Sequence, residues 1–237
     1  MSTYLLALPD GNTIPYHLER RSRRTVGMRV SPDGLTVHAP KKISQSQLEH
    51  LLLTKADWIQ KKLEAQQNNA LAPMQWQDGT SLLLLGNDII LSVKHDTRSR
   101  ALEYQPGVLH VALPTPEDEA TIAHKVLQWY RKQALTDFGR RLEILSAKLG
   151  VPTPPLFLSN ARSRWGSCNS RGEVRLNWRL LQAPPHIINY VICHELAHLK
   201  QMNHSAKFWA VVASLCPDYK QAENELKKLS GQLHMLD

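Results

Sequence analysis

The chain has 237 residues, 42% of them hydrophobic, and its 29 Lys and Arg against 21 Asp and Glu give a net charge of +8. That length suffices for one large domain or two small ones with a buried core. No apolar run approaches the ~20 residues of a membrane span, the stretch from Met1 to Gly11 lacks the basic region of a signal peptide, and three cysteines do not make a disulfide framework. A reduced, cytoplasmic protein is the expectation.

The first forty residues alternate and turn like a small antiparallel sheet, with strands over Tyr4 to Leu8, Ile14 to Glu19, Thr25 to Val30 and Leu35 to Ala39. Pro9-Asp10-Gly11-Asn12 and Ser31-Pro32-Asp33-Gly34 read as the turns. The basic run Arg20-Arg21-Ser22-Arg23-Arg24 has no interleaved aromatics, so it reads as a charged turn more than as a nucleic-acid surface. Ser44 with Gln47 forms a capping box. Leu48, Leu51, Leu52, Trp58, Ile59 and Leu63 then carry one helix to about Ala65, and Gln66 to Pro73 reads as a linker.

A second meander follows over Ser81 to Leu85, Ile89 to Val93, Leu102 to Gln105 and Val108 to Leu113, with turns at Gly86-Asn87-Asp88 and Pro106-Gly107. From Pro116 to about Leu149, Ile122, Val126, Trp129, Leu135, Phe138, Leu142 and Leu145 recur at helical spacing. Both halves read as strands followed by a long helix, a likeness of pattern and not of residues. The fold class expected is α+β, with N-terminal antiparallel β meanders and long helices over residues 1–150 and a second domain over residues 151–237.

The last third opens on a strand near Leu156 to Ser159 and continues through Arg162-Ser163-Arg164-Trp165-Gly166-Ser167-Cys168 to a strand at Glu173 to Trp178. Arg162, Arg164, Arg171, Arg175 and Arg179 come with Glu173 alone among them, and five guanidinium groups without a lysine suit carboxylate or phosphate as well as a solvated strand edge. Arg162 and Arg164, beside Trp165 and Gly166, are the substrate-binding candidates. Trp165 and Trp178 read as core or wall residues. Pro184-Pro185 then opens a helix whose apolar positions are Ile187, Ile188, Val191, Ile192, Leu196 and Leu199.

That helix carries His194-Glu195-Leu196-Ala197-His198, in which 3.6 residues per turn place the two histidines on one face within reach of one metal ion. Glu195 sits beside them, placed to act on a water at the metal. His204 is too far along a straight helix, so the chain must turn back, and Asn203 suits a left-handed turn before a new helix from Ser205 to Leu215. His204 is favoured as third ligand over Glu223 and Glu225. Cys193 points about 100° away from His194 and reads as a packing residue.

The motif from Arg162 to Cys168, Leu176-Asn177-Trp178-Arg179-Leu180, Tyr190 to Leu199, Asn203-His204-Ser205 and Phe208-Trp209 together resemble the YgjP-like metal-dependent hydrolases, across roughly residues 156 to 216. SprT-type proteases are a more distant resemblance. The resemblance implies a zincin-like catalytic domain with His194, His198 and His204 as ligands of one Zn2+ and Glu195 as catalytic acid and base. Metzincins place glycine where this chain has Gln201, and no methionine turn follows.

The chemistry expected is hydrolysis by a metal-activated water, with Glu195 moving the proton and Arg162, Arg164 or Tyr190 offering a donor to the developing oxyanion. A metallopeptidase is the first reading. Hydrolysis of a phosphoanhydride, as by a nucleoside triphosphate pyrophosphohydrolase, is the second, because the arginines suit phosphates. A DNA-associated protease of the SprT kind, or a basic binding module with structural zinc, is the third. The partner expected is thus a peptide or an anionic small molecule, with no membrane involved.

Overall fold

The computed structural model describes residues 2–9, 11–31, 34–68, 74–96, 102–114 and 118–236. The chain divides into two compact units, Met1–Ala72 and Pro73–Asp237. The boundary expected at residue 150 does not separate compact parts. One continuous core runs from Trp76 to Leu236, and the long helix before residue 150 supplies it with Ile122, Val126, Tyr130, Phe138 and Leu142.

In the first unit, β1 (Ser2–Ala7), β2 (Thr13–Arg21), β3 (Gly27–Ser31) and β4 (Gly34–Pro40) form one sheet in the order β1-β2-β4-β3. Two hairpins meet through β2 and β4, which run parallel, Tyr16 opposite Leu35 and Leu18 opposite Val37. The sheet is therefore mixed, which corrects the antiparallel meander. Alternation puts Ile14, Tyr16, Leu18, Leu35, Val37 and Ala39 on the covered face. The turns expected at residues 9–12 and 31–34 include residues outside the described ones.

The helix expected over residues 44–65 is two, α1 (Gln45–Leu53) and α2 (Ala56–Asn68). Ser44 and Gln47 close the capping box on α1. The break comes where Thr54 turns its hydroxyl onto Leu51 O and Lys55 N bonds Leu52 O, ending the i→i+4 ladder. Helix α2 runs to Asn68, into the stretch expected as linker, and residues 69–73 lie outside the described ones. Within the basic run, Arg20 donates to Pro40 O, Lys41 O and Ile43 O, and Arg21 pairs with Glu19, so both act inside the unit.

The second unit repeats the sheet plan. β5 (Ser81–Leu84), β6 (Asn87–His95), β7 (Leu102–Gln105) and β8 (Val108–Leu113) lie in the order β5-β6-β8-β7, again with the second strands of two hairpins parallel. α3 (Glu119–Leu149) follows, started by Asp118 accepting from Thr121 N and stopped by Gly150 at φ 69°. Its buried residues recur nearly every fourth position, one stripe against the core.

A three-stranded sheet, a 3-10 turn and three helices complete the unit: β9 (Leu156–Ser159), β10 (Gly166–Cys168), β11 (Val174–Asn177), the turn Trp178–Gln182, α4 (Pro185–Ala197), α5 (Ala206–Leu215) and α6 (Tyr219–Leu233). The sheet order is β10-β11-β9, so β11 is central and β10 is an edge. The strand expected at residues 173–178 is therefore paired on both sides, and β10 is the edge strand lying against α4.

Two features fix α4. Leu85 N and Gly86 N donate to Leu181 O and Gln182 O at 2.8 and 2.9 Å, pressing the β5–β6 turn onto the entry to α4. Gly86 has φ 83°, and a Cβ there would come 3.0 Å from Pro184 Cα, so the close approach requires glycine. From the other side, Arg141 on α3 joins Asp137 to Asn189 of α4, with 2.8 Å to Asn189 Oδ1. Among the described residues no helix is long and apolar enough to cross a membrane.

Candidate metal centre

Helix α4 delivers His194 and Glu195 in its last turn, and His198 is its C-cap, still right-handed at φ −63°. The chain then tightens: Leu199 N bonds Leu196 O and Lys200 N bonds Ala197 O, while Gln201 N reaches back to Ala197 O. The two i→i+3 bonds and the closing i→i+4 bond make the reversal. The left-handed turn expected at Asn203 is absent, since the positive-φ non-glycine residue among those described is Leu85. Ser205 then takes the N-cap position of α5 without a side-chain cap bond, and His204 is brought back to α4.

His194 and His204 present their Nε2 atoms to each other at 3.1 Å, and one ligand atom from each of His194, His198 and His204 lies within 4.8 Å of the others. Phe208, from the first turn of α5, lies beneath all three rings, with centroids 4.7 to 5.0 Å from theirs. Burial pushes the His194 imidazole down to about 4, with His198 and His204 adding to the shift, and it also lowers His198. Both are thereby held neutral near pH 7, the form that binds a metal. Two ring nitrogens 3.1 Å apart share at most one proton, and the third closes on the same point, so the donor set fits one divalent ion. Among the described residues no other trio of His, Cys, Asp or Glu gathers in this way.

Glu195 is 5% exposed. Burial raises its carboxyl to about 8, against the opposing charge of Arg164. Its Oε2 has no hydrogen-bond partner among the described residues. The backbone of β10 lies directly on this side chain: a Cβ on Gly166 would overlap Glu195 Oε1 and sit 2.7 Å from its Cγ. Glycine is required at 166 for space, not for φ. Its importance was missed in the sequence, although glycine inside a strand signals a close approach.

The other expected site residues separate. Tyr190, one turn before His194, is buried with its ring 6.2 Å from that imidazole, and burial followed by the charge of Glu223 raises its phenol. Arg164 is exposed and acts on Glu195, whereas Arg162 acts on Arg179 and His234. Arg171 pairs with Glu173 at 3.2 Å, and Arg175 lies over Phe157. Arg179 is 2% exposed, with its guanidinium 4.5 Å from the Trp178 ring, and burial with Arg162 and Arg131 lowers it to about 10. The two carboxylates weighed as third ligand are engaged elsewhere, Glu223 with Lys227 at 2.8 Å and Glu225 with His186. Cys193 is fully buried, as a packing residue should be, and burial raises its thiol to about 12.

A helix with His194 and Glu195 in its last turn, closed by His198 and His204, has the residue set of the H-E-x-x-H metal-dependent hydrolases. Over residues 24–229 the chain matches the YgjP-like metallopeptidase domain, and it belongs to that family. The family implies a divalent metal, and the three-histidine cluster is where the chain has the donors for one. It is similar to the UTP pyrophosphatase of Escherichia coli (strain K12), 26% identical over 98 residues, which are 41% of this chain and 56% of that protein. The match thus spans little more than half of that relative.

Among solved structures it is similar to the metallopeptidase zymogen of Pyrococcus abyssi abylysin, with 26% identity, 39% of this chain and 94% of that chain covered, and a TM-score of 0.37. It is also similar to the zymogen of Methanocaldococcus jannaschii jannalysin, with 19% identity, 39% and 96% coverage, and a TM-score of 0.33. Neither likeness is close enough to carry an argument about the chemistry.

Proposed function

We propose that the protein is a zinc-dependent hydrolase of the metallopeptidase type, acting in the cytoplasm, with His194, His198 and His204 holding one Zn2+ and Glu195 serving as general base and then general acid. The observation that carries this reading is the convergence of three imidazole donors within 4.8 Å, with a buried carboxyl on the residue that follows the first of them. A bound zinc ion supplies Lewis acidity and lowers the pKa of water at the site. With the site loaded, Glu195 would be held ionised and would take a proton at its Oε2, which has no partner among the described residues. Burial favours the protonated carboxyl formed in that step, and its release of the proton to the leaving group restores the carboxylate for the next turnover.

Around that carboxyl the chain excludes water on one side through Gly166 and the β10 backbone. Tyr190 O–H and the Arg164 guanidinium are the donors offered to an oxyanion. The open strand edge beside α4 is that of β10, which suits an extended peptide.

Phosphoanhydride hydrolysis is the second reading, favoured by the charge of Arg164 at Glu195 and by the activity named for the Escherichia coli relative. The test is zinc-loaded wild type against Glu195→Gln on a peptide library and a nucleotide panel. Turnover present in the wild type and lost in the variant, with zinc retained, supports the mechanism and identifies the substrate class. Full turnover in Glu195→Gln refutes it.

A further inference from the structure

Beside the His194 and His204 rings lies a cleft of about 340 Å³ lined by Trp209, Tyr219, Lys220, Glu223 and Asn224. It lies between the first turn of α5 and the first turns of α6, which are joined by a turn closed by Cys216 N to Val212 O and Tyr219 N to Cys216 O. That turn lays Tyr219 on Trp209, ring centroids 5.2 Å apart and planes within 19°, so the two rings make a single aromatic wall. The wall starts at the metal centre: the Trp209 ring is 5.7 Å from His194 and 6.1 Å from His204.

The polar groups of the lining decide the guest. Glu223 is matched by Lys227 at 2.8 Å, and Lys220 and Asn224 are exposed at the rim as hydrogen-bond donors. A cationic guest would gain from the aromatic faces but would meet Lys220, with Glu223 already paired. An aliphatic guest would use neither the π faces nor the donors. A flat ring with acceptors on its edge uses both, and aromatic stacking tolerates any such ring.

We propose that this cleft is the substrate's ring subsite, seating a planar π-rich group on the Trp209–Tyr219 wall so that the bond to be cut reaches the His194, His198 and His204 centre. The group is either an aromatic side chain of a peptide or the base of a nucleotide. The inference rests on reading that centre as a hydrolase, and it deepens that reading by naming what the substrate must carry.

The test is equilibrium binding, read from the Trp209 indole N–H resonance of the zinc-loaded full chain and assigned with Trp209→Phe. The ring-bearing probes are N-acetylphenylalanine amide and uridine monophosphate; their ringless counterparts are N-acetylalanine amide and ribose 5-phosphate. A ring-bearing probe shifts the resonance while its ringless counterpart at equal concentration does not, and whichever probe does so identifies the source of the ring. Tyr219→Leu, which keeps bulk but removes the π face, weakens that binding at least about tenfold, and Tyr219→Phe retains it. Zinc content and the thermal transition confirm that both variants are folded.

Equal shifts from ringed and ringless probes, no shift from any, or unchanged affinity in folded Tyr219→Leu would overturn the proposal. Ring binding by a chain that hydrolyses nothing would keep the subsite and sink the hydrolase reading. Turnover without ring preference would do the reverse.

Discussion

Replacing Glu195 with glutamine should stabilise the metal-stripped protein, and the gain should depend on pH. In the fold the carboxyl is raised from 4.5 to about 8 by burial. A group raised in this way binds its proton more tightly folded than unfolded, so its stabilising contribution is complete below pH 4.5 and is lost as pH rises to 8. Each pKa unit corresponds to 1.36 kcal/mol. The wild type therefore gives up about 3 kcal/mol by pH 7 and about 5 kcal/mol above pH 8, relative to an uncharged isostere. His194, lowered to about 4, loses stability in the opposite direction, as pH falls from 6.5, but does so in both chains and cancels in the difference.

Urea unfolding in the presence of a chelator, followed by tryptophan fluorescence, measures this at pH 4.5, 6, 7 and 8.5. Five of the six tryptophans, Trp76, Trp129, Trp165, Trp178 and Trp209, belong to the second unit and Trp58 alone to the first, so the signal is dominated by the part of the chain that holds Glu195. A packing offset from the amide is constant with pH, which makes the slope the readout. A difference between Glu195→Gln and wild type that is flat from pH 4.5 to 8.5 refutes the buried-carboxyl argument.

His204→Ala should remove stoichiometric zinc from purified protein, as measured by atomic absorption, and retention of one equivalent would show that the third donor lies elsewhere. Gly166→Ala should lower turnover at least about 100-fold with zinc content unchanged, because the added methyl displaces the Glu195 carboxyl while the imidazoles stay in place. Gly86→Ala should cost about 1–3 kcal/mol in chemical denaturation, from φ 83° and the contact with Pro184 together; wild-type stability would show that the β5–β6 turn does not bear on α4.

What the sequence disclosed was mainly local. The capping box at Ser44 and Gln47, the stripe on α3 and the spacing of His194, His198 and His204 all follow from 3.6 residues per turn or from short turns. Pairing between distant strands is not written in this way. Alternation is the same in a parallel and an antiparallel neighbour, so β2 against β4 and β6 against β8 were invisible, and with them the mixed sheets.

The break at Thr54 was hidden because the apolar spacing continues through it, and the ending depends on one hydroxyl. Asn203 was assigned the reversal on propensity, but tightened bonds from Leu196 and Ala197 complete it before that residue is reached. Gly166 and the Trp209–Tyr219 wall lie on elements distant in sequence from Glu195 or from each other's turn, so spacing did not reveal what they touch.

X-ray absorption at the zinc edge of the loaded protein tests the central claim most directly. Three imidazole nitrogens in the first coordination shell, falling to two in His204→Ala if any metal remains, is the predicted result. A sulfur ligand, or an unchanged first shell in folded His204→Ala that still carries zinc, would contradict the assignment of His194, His198 and His204 as the metal centre.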